Sequence, residues 1–361
     1  MNILSFGKSQ IAGPIAVAIW SLSMIWLALA TGAQHDYIYY LDQWDLVLSG
    51  ANPWGTENAY GPLHNVLAYL RRFGPLAPKM LIILSFLVAN GFLLREIFAL
   101  RDGRPLYGFY LLIVPTNFLV ISMAFTYGLN DGLVAALVVF ALIARYRGYF
   151  VIPGCFLGLA VLLKFYPIIL VPMFALDAGR FRWRLIFAAA AITIAGMTFA
   201  AVVWGDAIFR PFTMAAERGP TLLSILASLS FFPFLIGGQG VLDFLLKANV
   251  VFVAFVALLS TLISWKLRIH WLEASVLGLL AVLLTYKVGH QQFYLPWLFL
   301  VAALPLAGTE SSRRLMWICV PQVLFLSAFQ KLLVSSSPHS DRSGLPMMEG
   351  AIAADQPMWL S

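Results

Sequence analysis

Residues 185–204 read LIFAAAAITIAGMTFAAVVW, an uninterrupted run without a charged side chain. A helix of about 20 apolar residues is long enough to cross the hydrocarbon core of a bilayer. The rest of the chain has the same character, since 61% of its 361 residues are hydrophobic and only 11% are charged. Soluble proteins carry about 25% charged residues. The sequence therefore predicts an all-α polytopic membrane protein and excludes a soluble globular protein and a disordered chain.

Clusters of arginine and lysine separate the apolar segments, and the positive-inside rule places such clusters in the cytoplasm. With all five clusters inside, the N-terminus is cytoplasmic, and the net charge of +7 reflects membrane orientation rather than binding to nucleic acid. The first apolar run, 11–31, lacks a small-residue cleavage site, so we interpret it as an uncleaved first helix. The five clusters are Arg95/Arg101/Arg104, Arg145/Arg147, Arg180/Arg182/Arg184, Lys266/Arg268 and Arg313/Arg314.

The apolar segments form one integral membrane domain over residues 1–334, with ten to twelve membrane segments. A first outer loop covers 32–76, and a polar tail, 335–361, follows the domain on the outside. Residues 205–222 form a second polar outer loop, and 223–246 fit either a pair of interfacial helices or a span. The other predicted spans are 77–98, 106–125, 130–144, 185–204, 248–265, 272–288, 293–308 and 315–334.

The segment 150–177 lies between two cytoplasmic clusters, so it must cross the membrane twice or not at all. It is too short for two full spans, because a helix rises only about 1.5 Å per residue. Two short helices that meet at Lys164-Phe165-Tyr166-Pro167 solve this problem. A broken helix needs protein or a water-filled cavity around its backbone, so Lys164 marks a cavity. The alternative is one long tilted helix whose lysine reaches toward the headgroups.

Acidic side chains concentrate in the predicted outer loops. The stretch HDYIYYLDQWD, residues 35–45, predicts an amphipathic helix on the membrane surface that ends near Gly50 and Pro53. Ionisable groups near a membrane often face a cavity and mark a functional path. Asp36 is therefore either a functional acid or a plain helix cap. The other outer acids are Asp42, Asp45, Glu57, Asp131, Asp206 and Glu217.

Four motifs occur in a characteristic order: one in the first outer loop, made of three short stretches, and three later in the chain. An Asp-Tyr at 36–37 is followed by Gly50-Ala51-Asn52-Pro53-Trp54 and Tyr60-Gly61-Pro62-Leu63, then by residues 127–132 (YGLNDG), 158–167 (GLAVLLKFYP) and 289–297 (GHQQFYLPW). Over most of residues 10–310 the sequence resembles GT-C glycosyltransferases that use polyprenyl-phosphate sugars. This group includes glycosylphosphatidylinositol mannosyltransferase I and bacterial polyprenol-phosphate-mannose-dependent mannosyltransferases. The resemblance implies a GT-C fold with its active site outside the bacterial inner membrane.

Two positions depart from the pattern of these enzymes. Eukaryotic members carry an Asp-x-Asp in the first loop, whereas Gln34 lies two positions before Asp36 here, so a second acid would have to be Asp42 or Asp45. The arginine expected before the acid of the third outer turn is replaced by Tyr127. Donor or acceptor can therefore differ from those of the mannosyltransferases.

Transfer from a lipid phosphate requires a base, positive charge at the leaving phosphate and an apolar groove for the lipid. The essential loop acid of the resembling enzymes corresponds to Asp36, which we expect to be the catalytic base. A single carboxylate in this role implies inversion, because retention needs a second carboxylate as nucleophile. Cations in a low-dielectric cavity stabilise the leaving charge. The candidates for the phosphate are Lys164, Lys287, His290 and Arg218.

Several of these candidates also have simpler interpretations. Lys287 and His290 are three residues apart and share a face if the helix extends that far, but His290 also fits an ordinary histidine at a helix end. Glu217 and Arg218 also fit a surface ion pair. Asp131 holds sugar hydroxyls or braces Lys164. The candidate sugar and acceptor ligands are Asp42, Asp45, Asn130, Asp131, Tyr60 and Gln291, and the aromatic candidates Trp44, Trp54, Tyr60 and Tyr294 also fit an interfacial belt.

We expect no cofactor and no metal, although His35, Asp36 and Asp42 offer a set of metal-ligating atoms. The expected partners are a polyprenyl-phosphate sugar, most simply mannose, a glycolipid or envelope glycan acceptor, and the lipid bilayer. A transporter or a flippase for lipid-linked sugars is the main alternative, because broken helices with charged residues occur there too. A non-catalytic subunit of an envelope complex is the third interpretation.

Overall fold

The computed structural model describes residues 3–34, 36–55, 58–100, 103–221 and 223–336. Within these ranges the chain is helical apart from loops and one short β-hairpin, which confirms the predicted all-α class. The N-terminal helices are α1 (Ile3–Thr31), α2 (Asp36–Leu48), α3 (Pro62–Val66), a 3-10 helix (Leu67–Phe73), α4 (Ala77–Phe98), α5 (Gly103–Ile113), α6 (Phe118–Val120), a π-helix (Ile121–Thr126) and α7 (Asn130–Tyr146).

The remaining elements follow in two groups. The central elements are α8 (Val151–Leu163), a 3-10 helix (Tyr166–Ile169), α9 (Leu170–Ala175), the antiparallel strands β1 (Leu176–Asp177) and β2 (Arg180–Phe181), α10 (Trp183–Trp204), a 3-10 helix (Gly205–Phe209) and α11 (Arg210–Glu217). The C-terminal elements are α12 (Ile225–Ser230), a 3-10 helix (Pro233–Ile236), α13 (Gln239–Lys247), α14 (Asn249–Lys266), α15 (Trp271–Thr285), a 3-10 helix (Gln291–Phe293), α16 (Tyr294–Ala303), a 3-10 helix (Leu304–Ala307) and α17 (Glu310–Ser336).

Ten apolar helical segments occur in the described part of the chain, but they differ in length. Four are long enough to cross a membrane, and two bent pairs raise that number to six. The other four are shorter apolar helices of 10–17 residues. The long segments are Ala77–Phe98, Trp183–Met214, Asn249–Lys266 and Glu310–Ser335, the bent pairs are Ile15–Thr31 with Asp36–Leu48 and Phe118–Thr126 with Asn130–Tyr146, and the short helices are Val151–Leu163, Tyr166–Ala175, Trp271–Thr285 and Gln291–Ala307.

The predicted span 106–125 is wrong as a single helix. Helix α5 ends at Ile113 and α6 begins at Phe118, and Pro115 lies in the gap between them. Proline lacks the backbone N–H that would continue the helix. Asn117 then caps α6, because its side-chain oxygen accepts a hydrogen bond from the backbone N–H of Leu119 at 2.9 Å.

The segment 150–177 forms the two short helices predicted for it. Helix α8 ends at Leu163, Lys164 is extended (φ −146°, ψ 139°), and the chain turns back through α9. Arg145 contacts the start of α8 and the end of α9, which are the two ends of the pair away from the turn. Its guanidinium lies 4.7 Å from the ring of Phe150 and donates a 3.0 Å hydrogen bond to the carbonyl oxygen of Phe174. Both helices therefore begin or end at the same end of the bundle, and Lys164 is at the turn.

The segment 223–246 forms three short pieces rather than a span. Helix α12, a 3-10 helix and α13 cover it, and each is far shorter than the ~20 residues that a span requires. Large apolar side chains on these pieces are exposed, including Phe231, Phe234 and Phe244. Of the two predicted alternatives, a single spanning helix is therefore not formed over this segment.

Helix α7 is the centre of the bundle. Almost all of its side chains are buried, and it packs against α4, α8 and α16. Helix α16 is buried throughout as well. Helices α10 and α14 instead expose most of their apolar side chains, as expected for helices that face lipid.

Two glycines bring α8 and α10 close together. A Cβ atom on Gly154 would overlap the carbonyl oxygen of Leu185, and one on Gly158 would lie 2.8 Å from the carbonyl oxygen of Ala189. Small residues four apart commonly allow two membrane helices to approach at backbone distance. The contact fixes α8 against the long helix α10.

The bundle has two chemically distinct ends. At one, which we call the basic end, Arg147 pairs with Glu96, Arg182 pairs with Asp177, and the indole of Trp265 donates to the carbonyl oxygen of Gly179. The other end, which we call the Lys164 end, carries the loops around Gly32, Gly61, Gly128 and Lys164. The predicted basic clusters, where the structure describes them, lie at or near the basic end, and the broken helix turns at the other.

Candidate functional site

Asp36 is the first residue of α2, just after α1 ends. Helix α2 buries its aromatic face, which carries Tyr37, Tyr40 and Trp44. Asp36 is half-buried, and its carboxylate interacts electrostatically with the phenols of Tyr40, Tyr60 and Tyr127. The carboxylate therefore lies beside a group of phenols from three segments of the chain.

Asp131 and Lys164 form a buried ion pair at the break between α8 and α9. The Nζ atom of Lys164 lies 2.6 Å from Oδ2 of Asp131, and the two side chains are 7% and 0% exposed. The hydroxyl of Tyr166 lies 3.5 Å from the other carboxylate oxygen, Oδ1. Of the two roles considered for Asp131, the structure thus shows the contact with Lys164.

Two aromatic rings enclose the ammonium group of Lys164. Its Nζ atom lies 5.0 Å from the ring centroid of Tyr60 and 4.9 Å from that of Phe293. The ring of Phe293 also lies 5.0 Å from that of Tyr166. A cation gains from such contacts when it is shielded from water. The ion pair is therefore held within an aromatic wall that comes from three parts of the sequence.

The loop that carries Tyr60 is fixed to the end of α8. The backbone N–H of Gly61 donates a 2.9 Å hydrogen bond to the carbonyl oxygen of Leu163. A Cβ atom on Gly61 would overlap the carbonyl oxygen of Leu162, so only glycine permits this approach. The loop is thereby fixed next to Lys164, and this explains the glycine of the Tyr60-Gly61-Pro62 motif.

The asparagine and tryptophan of the same loop support Tyr60 from the other side. The side-chain oxygen of Asn58 accepts from the backbone N–H of Tyr60 at 3.0 Å, and the indole of Trp54 donates to its carbonyl oxygen at 3.1 Å. Asn58 also donates to the carbonyl oxygen of Pro53 at 3.1 Å. These bonds hold Pro53, Trp54, Asn58 and Tyr60 in a defined arrangement.

Burial, followed by the negative charge of Asp36, raises the pKa of the Tyr60 phenol. The charges of Asp131 and Arg218 also act on Tyr60, in opposite directions. The phenol of Tyr60 therefore stays protonated. It interacts electrostatically with both Asp36 of α2 and Asp131 of the buried ion pair. It can donate a hydrogen bond to a hydroxyl or phosphate oxygen.

His64 is a buried residue of the site that the sequence analysis missed. Its Nδ1 accepts from the side-chain amide of Asn130, and its Nε2 lies 2.9 Å from Oε1 of Gln43. Burial, reinforced by the positive charge of Lys164, lowers the pKa of His64 to about 3. The imidazole is therefore neutral at physiological pH. Its position in α3, shortly after Tyr60, was the one signal in the sequence that could have indicated it.

Lys79 connects the ends of two helices near the site. Its Nζ atom donates 2.7 Å hydrogen bonds to the carbonyl oxygens of Gly32 and Thr126. Gly32 follows α1 shortly before Asp36, and Thr126 ends the π-helix shortly before Asp131. A cation at helix C-termini complements their dipoles. Lys79 thus helps to set the two acids of the site relative to each other.

The predicted phosphate ligands after α15 lie in an extended segment. Helix α15 ends at Thr285, and His290 has extended backbone angles (φ −69°, ψ 138°). The condition under which Lys287 and His290 would share a helix face is therefore not met, because the helix stops before either residue. His290 still lies next to the aromatic wall, with its ring centroid 5.7 Å from that of Phe293.

Lys287 and Arg218 lie on neighbouring segments. The carbonyl oxygen of Lys287 accepts a 2.8 Å hydrogen bond from the N–H of Thr221, which joins the loop after α11 to this segment. Lys287 is buried, and this burial lowers the pKa of its ammonium group. Arg218 is exposed, but its charge acts on Tyr60 and Tyr286. Gln291 is half-buried at the start of the next 3-10 helix.

The structure brings together some predicted site residues and separates others. Asp42 and Asp45 are on the exposed face of α2, and Asp45 pairs with Arg71. His35 and Glu57 lie outside the described residues, and among those described no three His, Cys, Asp or Glu side chains form a potential metal site. The residues brought together are Asp36, Tyr60, Asn130, Asp131 and Lys164; in addition, the ring of His290 packs against Phe293, and the charge of Arg218 acts on Tyr60 and Tyr286. The residues not foreseen are Tyr40, His64, Tyr166, Tyr286 and Phe293.

A family model for glycosyltransferase family 87 matches residues 58–286, which is more than half of the chain. The match contains Tyr60, Asn130, Asp131, Lys164 and Arg218. The chain belongs to glycosyltransferase family 87. No curated protein matches it.

Membership of glycosyltransferase family 87, a GT-C-like family, makes the chain a membrane glycosyltransferase that acts on a sugar donor and an acceptor. This confirms the enzyme class expected from the motifs. The narrower resemblance to glycosylphosphatidylinositol mannosyltransferase I is not confirmed by the match. In this family 87 enzyme the matched region holds the buried ion pair together with Tyr60 and Tyr166 of the aromatic wall, whereas Phe293 lies after the matched region and Asp36 before it.

Proposed function

We propose that this family 87 glycosyltransferase transfers a hexose, in the first instance mannose, from a polyprenyl-phosphate donor to a lipid-linked or envelope glycan acceptor. The reaction takes place on the outer side of the bacterial inner membrane and inverts the anomeric configuration. The observation that carries the proposal is that Asp36 and the ion-paired Asp131 both interact electrostatically with the phenols of Tyr40 and Tyr60, which brings the acid of α2 and the Asp131–Lys164 pair into one site.

Asp36 is the proposed general base. It is half-buried at the start of α2, where a carboxylate can accept the proton of an incoming hydroxyl. Helix α2 holds it through its buried aromatic face, so the carboxylate has a defined position. Deprotonation of the acceptor makes its oxygen a nucleophile for the anomeric carbon, and the bond from that carbon to the phosphate oxygen breaks.

Inversion is supported by the burial and ion pairing of the second carboxylate, Asp131. A retaining mechanism needs a carboxylate that can attack the anomeric carbon. Asp131 is fully buried, and both of its oxygens face neighbours, Lys164 on one side and Tyr166 on the other. Its role is to hold the lysine, and among the acids that the structure describes we assign proton transfer to Asp36.

The leaving lipid phosphate needs positive charge in a site of low dielectric constant. Lys164 supplies it from within the aromatic wall, and Arg218 and Lys287 supply it from the two neighbouring loops. His290 lies next to Phe293 and is a further candidate ligand. This set of cations makes a metal unnecessary in the proposed reaction.

The distribution of charge supports an outward-facing site. Short cytoplasmic loops collect Lys and Arg. The ion pairs of Arg147 and Arg182 and the contacts of Arg145 lie at the basic end, opposite to Lys164. Under the positive-inside rule the basic end faces the cytoplasm, and the Asp36 site faces outward. Donors made on lipid carriers and flipped outward are the substrates available there.

The proposal is tested by sugar transfer with purified protein. We expect reconstituted wild type to transfer label from radiolabelled polyprenyl-phosphate mannose to a membrane extract. Asp36→Asn should reduce the rate by about 100-fold or more, because general-base catalysis is lost. Asp42→Asn is the matched control on the exposed face of the same helix and should stay within about two-fold of wild type.

Each alternative predicts a different result in the same assay. Transfer from another polyprenyl sugar alone would overturn mannose but not the class of donor, whereas transfer from nucleotide sugars alone would overturn the class. Full activity of Asp36→Asn would exclude Asp36 as the base. A flippase would move labelled lipid across vesicles without forming a glycosidic bond.

A further inference from the structure

His64 is fully buried in the site, but the proposed reaction assigns it no chemical step. Its ring packs against three aromatic side chains: the centroid distances are 4.6 Å to Tyr60, 4.9 Å to Tyr40 and 5.2 Å to Trp44. Tyr40 and Tyr60 also interact electrostatically with Asp36. A histidine packed in this way is separated from bulk solvent. The role of His64 therefore follows from its contacts within the protein.

The two ring nitrogens connect two different helices. Nε2 bonds to Gln43 of α2, the helix that begins with Asp36, and Nδ1 bonds to Asn130, the first residue of α7. Asn130 directly precedes Asp131, the partner of Lys164. The backbone of His64 adds a third bond, because its carbonyl oxygen accepts from the indole of Trp44 at 2.8 Å. His64 thus bridges the element that carries the acid and the element that carries the ion pair.

The direction of these hydrogen bonds fixes the proton on His64. Nδ1 accepts from the Asn130 amide, so the single proton of the neutral ring is on Nε2, where it is donated to Gln43. Both nitrogens are engaged within the protein. His64 cannot take a proton from a substrate without breaking one of these bonds.

We propose that His64 is a positioning residue that sets the Asp36 carboxylate relative to the Asp131–Lys164 pair by linking α2 to α7. This inference rests on the proposed function, since it concerns the geometry of that reaction. Reacting groups must be held close to their productive geometry, and a misplacement of about 1 Å can reduce the rate by about 100-fold. The substrate contacts themselves do not depend on the imidazole.

Two substitutions separate the two halves of this link. In His64→Asn the side-chain oxygen can still accept from Asn130, but the chain is too short to reach Gln43. In His64→Gln the amide can still donate to Gln43, but the contact with Asn130 is lost. We expect each variant to lower kcat by about ten-fold or more while the KM for the lipid donor stays within about two-fold, because binding is retained and orientation is not.

A double-mutant cycle tests whether His64 acts through Asp36. On an Asp36→Asn background His64→Gln should have no further effect on the residual transfer rate, because there is no carboxylate left to position. A further fall equal to that in the single variant would overturn the proposal, and so would an unchanged kcat in both His64 variants. Gln43→Met, which breaks the link and leaves the imidazole in place, should lower kcat in the same way and serves if the His64 variants fold poorly.

A structural measurement makes the test independent of the assumed reaction. In hydrogen exchange of the full-length protein, amides of residues 36–48 should exchange faster in His64→Asn and His64→Gln than in wild type, while those of α16 stay protected. Unchanged exchange over 36–48 would overturn the link itself. If wild type transfers no sugar but the exchange responds as expected, the proposed function fails and the link stands.

Discussion

Burial makes Asp131 and Lys164 dependent on each other. Removing one partner of a buried ion pair leaves an uncompensated charge and costs about 3–5 kcal/mol, whereas replacing both by apolar groups is often close to neutral. We therefore expect Asp131→Asn to lower the unfolding temperature in detergent strongly, and Lys164→Met to rescue part of the loss in the double variant. Thermal unfolding monitored by circular dichroism measures both effects.

An exposed ion pair provides the control for this prediction. Asp45→Asn removes the partner of Arg71 on the solvent side of α2 and should cost less than about 1 kcal/mol. An equal loss in Asp45→Asn and Asp131→Asn would mean that burial does not strengthen the inner pair, and additive losses in the double variant would mean that Asp131 and Lys164 are not coupled.

The neutral state of His64 predicts a specific dependence of stability on pH. Its pKa is about 3 in the folded protein and about 6.5 in an unfolded chain, so the unfolded state binds more protons between these values. The stabilising contribution is complete above pH 6.5 and is lost as the pH falls toward 3, with a slope of about 1.4 kcal/mol per pH unit. His64→Gln should show a shallower fall in unfolding temperature between pH 7 and pH 4.5.

Other titrating groups near His64 are present in both proteins and cancel in this comparison. Asp36 and Asp131 lie in the same cluster, and Lys164 contributes to the lowered pKa of the imidazole. Parallel curves for wild type and His64→Gln would show that the histidine is not the group responsible. The difference between the curves, rather than either curve alone, is the quantity to measure.

Single residues were predictable from the sequence where local context fixed their role. Lys164 was predicted because a charged residue in a short apolar helical hairpin is expected at the turn, where it can face a cavity. Asp131 was considered as its partner. His64 was not found, since its partners Gln43 and Asn130 are 21 and 66 positions away. Contacts over such distances along the chain depend on the tertiary packing of helices and not on any local pattern.

At the scale of elements, the contact between the first outer loop and α8 depends on one glycine. Gly61→Ala should destabilise the protein by about 2 kcal/mol or more and reduce transfer, because the new methyl group would force the loop and Tyr60 away from Leu162 and Leu163. Thermal unfolding and the transfer assay measure the two effects. Gly91→Ala in α4 is the control, since nothing lies within 4 Å of its added methyl group.

The control is expected to have the opposite sign. Replacing glycine by alanine within a helix stabilises by about 0.5–1 kcal/mol where the methyl group has room. If both alanine variants unfolded at the wild-type temperature, the close approach of Gly61 to α8 would not be a constraint in solution.

Elements with a strong periodic or length signal were predicted well. Helix α2 begins and ends where its amphipathic pattern does, and the pair α8 and α9 follows from the charges on both sides. The interruption of 106–125 and the end of α15 before Lys287 were missed. Hydropathy identifies apolar stretches, but it does not distinguish a continuous helix from one broken by Pro115 or an extended segment.

At the scale of the whole molecule, the orientation in the membrane can be tested directly. In a background in which Cys155 and Cys319 are replaced by serine and alanine, Ser49→Cys at the end of α2 should react with an impermeant maleimide in intact cells. Arg184→Cys near the basic end should react only in inverted vesicles. The reverse pattern would place the Asp36 site in the cytoplasm and contradict the proposed donor.

The general architecture was accessible from composition and charge alone, because 61% hydrophobic residues leave no other fold class open. The division of ten apolar segments into spanning and shorter helices was not. Hydropathy indicates how long an apolar segment is. Whether a short helix enters the bilayer depends instead on which neighbouring segments cover its ends. The family match adds the enzyme class, and the structure adds the arrangement of its residues.

The glycine contact between α8 and α10 has a consequence for how this protein can evolve. Gly154 and Gly158 fix one part of α8, and Lys164 follows its last turn, so the number of residues between them determines both the depth and the direction of the ammonium group. One inserted residue would turn the lysine by about 100° away from its carboxylate partner. The spacing from Gly158 to Lys164 is therefore constrained, because an insertion or deletion within it would move Lys164 away from Asp131.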